Sequence, residues 1–173
     1  VNSLRNRIKS KFDYFDVDKA NEGIAGKLAE FVKAEIQRGS STKAGFVITT
    51  EDAMKRPGYQ KALDEAINSM LVSPFNISSI LTENIGVDQK TGKAFSFTFD
   101  EKETKANPNL ILMKTENDMP VPQFTEDQRN AAASFMKGQI EQMIKYDQKI
   151  NPYAEPRPEP KQEWQFRASQ ERN

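Results

Sequence analysis

Residues 83–128 read ENIGVDQKTGKAFSFTFDEKETKANPNLILMKTENDMPVPQFTEDQ, and strand, turn and helix-start signals follow one another through them. Residues 93–99 alternate apolar and polar side chains at period two. That pattern sets Phe95, Phe97 and Phe99 on one face of a strand and Ser96 and Thr98 on the other. Residues 84–87 form a short strand candidate ahead of it. Between the two, Asp88 can bond its own downstream backbone and Gly92 can take a positive φ without steric cost, so the spacing predicts a hairpin. A further apolar run, Leu110-Ile111-Leu112-Met113, follows Asn107-Pro108-Asn109, and Glu116-Asn117-Asp118 makes a second turn. Pro120 and Pro122 lack ladder donors, which assigns Val121 to an edge strand or an extended connection. The expectation is a small antiparallel sheet of three or four strands. A lone hairpin is only marginally stable in water, so the phenylalanine face needs helices against it.

Working outward, Thr125 and Gln128 have the spacing of a capping box, and the adjacent acids suit the positive end of a helix dipole. A helix is predicted from there to about residue 149, with Ala132, Phe135, Met136, Ile140, Met143 and Ile144 as its apolar stripe. A helix of ~25 residues spans ~37 Å, more than a small sheet covers. Its far end therefore needs another helix or another subunit. Upstream, Ile24, Leu28, Phe31, Val32 and Ile36 predict a helix over 19–38, with Asp18 as its cap and Gly39 ending it. Thr50-Glu51-Asp52 begins a brief helical turn. Pro57 and Pro74 suit fresh helix starts. Tyr59, Leu63, Ile67 and Met70 give the clearest amphipathic stripe, continued by Ile77, Ile80 and Leu81.

Composition sets limits on function. The chain of 173 residues carries 25 basic and 25 acidic side chains, so it lacks the basic field of a general nucleic-acid binder. A contact between nucleic acid and the basic segment 4–11 is the weaker alternative to a solvated helix face. With no Cys and no His, disulfides, thiolate or imidazole zinc sites, Cys nucleophiles and His acid–base chemistry are excluded together. No apolar run approaches the ~20 residues of a membrane span. The motifs of P-loops, dinucleotide folds and Ser nucleophiles are missing. Among the acids, no arrangement singles out a hydrolytic carboxylate pair. An EF-hand starting at Asp16 fails because Asn21 stands where glycine is required. No catalytic, metal or cofactor-binding residue is therefore assigned. The hydrophobic share of 36% and the mean hydropathy of −0.75 describe a thin core, expected of a chain that is elongated or that completes its burial against neighbours.

The partner-binding candidates lie at the two ends. Phe12, Tyr14 and Phe15 form an aromatic cluster after the basic segment. Beyond residue 151, Pro152, Pro156, Pro158 and Pro160 favour extended polyproline II, and Tyr153, Trp164 and Phe166 are its anchors for a partner's pocket. The division expected is a helical N-terminal arm over 1–39, a linker over 40–45, an α+β core over 46–150 and an extended Pro-rich tail over 151–173. The fold class expected is α+β: N-terminal helices, the small sheet packed on helices, and a long C-terminal helix before the tail.

Residues 81–129, with GVDQKTGKAFSFTFD, NPNLILMKTENDMPVPQ and FTEDQR, resemble segments of virion proteins of tailed bacteriophages, nearest the large crAss-like group. The resemblance implies a non-catalytic structural, tail-barrel or cargo-type protein. It would be present in many copies around an axis and packed against portal, tail or ring subunits and copies of itself. It carries over no catalytic residue. A start at Val1 is expected of a product cut from a larger virion protein. The alternative is a small nucleic-acid-binding or carboxylate-dependent hydrolytic domain.

Overall fold

The computed structural model describes residues 15–40 and 48–146. Helix α1 (Val17–Ser40) is capped by Asp16, whose carboxylate accepts from the Lys19 N–H at 3.1 Å. Asp18, the cap expected, sits inside the first turn because the helix starts two residues earlier than its periodicity suggests. Helix α2 (Thr50–Met54) opens on a capping box: the Asp52 N–H donates to the Thr49 hydroxyl, and the Thr49 N–H donates back to the Asp52 carboxylate. Pro57 and Pro74 begin α3 (Pro57–Met70) and α4 (Pro74–Ser79), as their fixed φ and missing donor favour. A π-helical segment, Ile80–Ile85, follows and buries Ile80 and Leu81 completely.

The sheet has three strands in the order β1 (Ser96–Thr98), β2 (Leu110–Glu116), β3 (Met119–Gln123). Strands β2 and β3 form an antiparallel hairpin across Asn117 and Asp118, both at positive φ (51° and 62°), the geometry of a type I′ turn. The α+β class stands, but the sheet is mixed, not antiparallel throughout. Strand β1 runs parallel to β2, with Phe97 opposite Ile111. Helix α5 (Glu101–Ala106), capped by the Asp100 side chain, carries the chain back so that both strands point the same way. The predicted first hairpin shrinks to a single bridge between Val87 and Ala94. Its turn is as expected: the Asp88 carboxylate accepts from the Lys90 N–H at 2.8 Å, and Gly92 takes φ 68°. Phe99 leaves the phenylalanine face, because β1 ends at Thr98, and it is 56% exposed.

The registers put Phe97, Ile111, Met113 and Pro122 on one face of the sheet, and all four are buried. Helix α6 (Glu126–Lys145) begins at the Thr125 capping box and buries Ala132, Met136, Ile140 and Ile144. Its length is used within the chain, since it packs on the π segment and along α1, α2 and α3. Val17, Ile24, Leu28 and Val32 of α1 share the same core. The described part of the expected arm therefore belongs to the main body. Each of these large side chains contributes roughly 1.5–3 kcal/mol on burial. At the sheet edge, the two-residue turn makes Glu116 and Met119 a hydrogen-bonded pair. Alternation then points Met119, Val121 and Gln123 at β2 and sets Pro120 and Pro122 where an N–H would face outward. The β3 edge is closed to further pairing.

Two buried amides hold the sheet in place. Gln128 completes the α6 cap by accepting from the Thr125 N–H at 3.1 Å, and its amide nitrogen donates to the carbonyls of Pro108 (3.1 Å) and Leu110 (2.9 Å). Asn109, fully buried, donates to the Lys93 carbonyl at 3.2 Å and accepts from the Thr91 hydroxyl at 2.6 Å. One side chain thus fixes the start of β2 to α6, and the other fixes it to the first turn.

Candidate functional site

Of the six partner-binding candidates, the structure places one. Phe15 is half-buried and packs on the hydrophobic core. Phe12, Tyr14, Tyr153, Trp164 and Phe166 lie outside the described residues. What the fold does assemble is a cleft of about 250 Å³ where α2, α3 and α6 meet. Glu51 and Met54 come from α2 and Lys55 from its C-cap, while Tyr59, Gln60 and Leu63 come from α3. Lys137, Glu141 and Lys145 of α6 follow at four-residue spacing, which puts them on one helix face.

The floor is apolar and rigid. Met54 and Leu63 are buried, and the Gln60 amide donates to the Met54 carbonyl at 2.8 Å, which fixes the α2–α3 corner. The Tyr59 ring packs against Phe31, centroids 6.4 Å apart at 44°. Gly58 permits this, because a Cβ there would meet the Phe31 ring at 3.0 Å. Tyr59 is fully buried, yet its hydroxyl has no hydrogen-bond partner among the described residues. Such a group costs about 1–3 kcal/mol. Burial, then the Glu141 carboxylate, pushes its pKa up to about 12.

Around this floor the charges sort into pairs. Lys145 meets Glu51 at 2.8 Å, and Lys137 meets Asp64 at 2.6 Å. The hydrogen bond from Lys145, and then its charge, holds the Glu51 carboxyl below its ordinary range, and the same bond raises Lys145. Lys55 and Glu141 make no ion pair among the described residues. Both are exposed, and each acts through its charge on a member of the Glu51–Lys145 pair, Lys55 on Glu51 and Glu141 on Lys145. Among the described residues no group of three acids is placed to hold a metal ion, and no helix is long and apolar enough to cross a membrane.

Sequence reasoning missed this cleft. Its members lie on the adjacent helices α2 and α3 and on α6, far from both in the chain, and each charged face reads locally as solvated. The one signal was Lys137, Glu141 and Lys145 in a row beside an otherwise apolar helix stripe. No protein-family model matches the chain, and neither a curated protein nor a solved structure does.

Proposed function

We propose that the chain is a non-catalytic structural or cargo component of a tailed-bacteriophage particle, acting through contacts with neighbouring subunits. The observation that carries this reading is where the resembling stretch falls in the fold. Residues 81–129 make up the whole sheet, its crossover helix and the start of α6, one continuous structural unit. Within that unit the two edges of the sheet differ. The β3 edge is closed by prolines, whereas β1 is an edge strand flanked by Val87 and Phe99, 49% and 56% exposed. An edge with exposed apolar flanks suits a neighbouring subunit.

Lysine-directed crosslinking of purified particles, read by mass spectrometry, tests the reading. Lys93 and Lys102, exposed on either side of β1, should link to another virion protein or to a second copy. Phe99→Asp should reduce incorporation while leaving the melting of the isolated chain within about 0.5 kcal/mol of wild type, as for an exposed position. Particles that lack the chain would overturn the reading.

A further inference from the structure

We propose that the outer edge of β1 pairs antiparallel with β1 of a second copy of this chain, and that the chain's own residues 86–88 guard that edge until they are released. The inference rests on the reading of β1 as a subunit-contact edge and names the partner.

Ser96 donates its N–H toward β2, to the Asn109 carbonyl at 3.1 Å, so the N–H and carbonyl of Phe97 point the other way. They meet no partner among the described residues. One step back along the strand the edge is already taken. The Phe95 N–H donates to the Gly86 carbonyl at 3.1 Å, and the Asp88 N–H donates to the Lys93 carbonyl at 2.9 Å. Antiparallel pairing of two β1 strands about Phe97 sets Phe97 opposite Phe97 and Phe95 opposite Phe99, each as a hydrogen-bonded pair. Just beyond, Lys93 falls at the Glu101 end of the other strand, opposite to it in charge. The edge is thus complementary to itself, as a two-fold contact requires. Phe99 and Val87, both at this edge, are two of the three large apolar side chains left exposed among the described residues. Residues 86–88 decide whether the pairing forms. They lie on the outer side of Phe95, in the place that Phe99 of the second copy would take, so one excludes the other. Their hold is slight: two backbone hydrogen bonds around one bridge, with Val87 49% exposed. That hold depends on Gly86 at φ 72° and ψ −68°, a γ-turn closed by the Val87 N–H on the Ile85 carbonyl at 2.8 Å. Prolines close the far edge at β3, so the joined sheet ends there and pairing stops at two copies.

The test follows self-association of the full chain by sedimentation. Wild type should dimerise with a Kd on the order of a millimolar or tighter. Gly86→Ala cannot hold the γ-turn without strain, so it should lift residues 86–88, speed hydrogen exchange of the Phe95 amide and tighten the dimer at least about tenfold. A double variant, Val87→Cys with Ala94→Cys, does the reverse. These two positions face each other as a non-hydrogen-bonded pair, with Cα atoms ~4.5 Å apart and within reach of a disulfide, and the chain has no other Cys. Oxidised, the double variant should dimerise at least about tenfold more weakly than the same protein reduced. If Gly86→Ala does not fold, that comparison decides alone. The inference fails if neither wild type nor Gly86→Ala dimerises up to about a millimolar, if oxidation leaves the dimer unchanged, or if Phe99→Asp dimerises as wild type does. Lys93 and Lys102 linking in particles only to a different virion protein, with the chain monomeric in solution, would overturn the second copy and leave the assembly reading standing. A dimer in solution with particles that lack the chain would uphold the pairing and overturn the assembly reading.

Discussion

The sheet end and the helical end of this molecule treat buried polar groups in opposite ways. At the sheet end, Gln128 uses both its oxygen and its nitrogen, reaching the Thr125 N–H and the carbonyls of Pro108 and Leu110. Asn109 likewise uses both ends of its amide, on Thr91 and Lys93. At the helical end, the Asn21 nitrogen donates to Gln139 at 2.7 Å, but its oxygen has no partner among the described residues. The Tyr59 hydroxyl has none either. A satisfied buried network specifies one arrangement of its elements, whereas a half-satisfied one is a standing cost. The difference indicates that the sheet end is where polar side chains define the fold. The helical end is held by apolar packing and leaves the Asn21 oxygen and the Tyr59 hydroxyl buried without a partner among the described residues.

The largest expected effect comes from breaking the satisfied end. Gln128→Leu keeps the volume but strands the Thr125 N–H and the carbonyls of Pro108 and Leu110. Three partners lost at a buried site should cost about 3 kcal/mol, and the melting midpoint should fall by on the order of 10 °C. Denaturant unfolding of the two proteins measures this. A loss below about 1 kcal/mol would show that the amide merely occupies space, and the contrast between the two ends would collapse.

That contrast also explains what was legible in the sequence. The Thr125 capping box, the helix starts at Pro57 and Pro74, the turn at Gly92 and the edge character set by Pro120 and Pro122 are local. Each follows from the backbone demands of a few neighbouring residues, and each is present in the structure. The parallel pairing of β1 was not legible, because it depends on α5, six residues with no apolar stripe to mark a helix. Phe99 was misplaced for the same reason. Alternation continues in the sequence for one residue more than the ladder does in space. The second roles of Gln128 and Asn109 were invisible too, since their partners sit some 20 residues away, at positions 18 and 20 back for Gln128 and 16 and 18 back for Asn109. The cleft is the extreme case. No local rule distinguishes a lysine facing solvent from one facing a cavity built by two other helices.

The next effect sharpens the other half of the comparison. The Tyr59 pKa rises from 10.0 to about 12 in the folded protein. Below pH ~10 the hydroxyl is protonated in both states and its contribution is fully present. Between pH ~10 and ~12 only the unfolded chain loses the proton, so stability falls as pH rises, by roughly 2–3 kcal/mol in all. In Tyr59→Phe this alkaline component should disappear. At neutral pH the same substitution should stabilise the protein by about 1–3 kcal/mol, because it removes a buried unpartnered group and no hydrogen bond. Urea midpoints of both proteins across that pH range decide the matter. A Tyr59→Phe protein that loses stability as steeply as wild type would mean that another group carries the alkaline transition.

The smallest effect concerns the rim. Glu51 is exposed and Lys145 only half-buried, so their ion pair is screened by solvent and salt. Its sign is nevertheless fixed. The Glu51 pKa is lowered on folding, so the pair's contribution is present above the ordinary carboxylate range and is lost as pH falls through the folded value. The raised pKa of Lys145 places the opposite limit on the alkaline side, where the contribution is lost as pH rises through its folded value. Glu51→Gln should therefore lower the melting midpoint slightly near neutrality, less in acid, and not measurably at high salt. A midpoint shift that persisted undiminished in high salt would mean that Glu51 is held by packing rather than by charge, and that the rim is as firmly pinned as the sheet end.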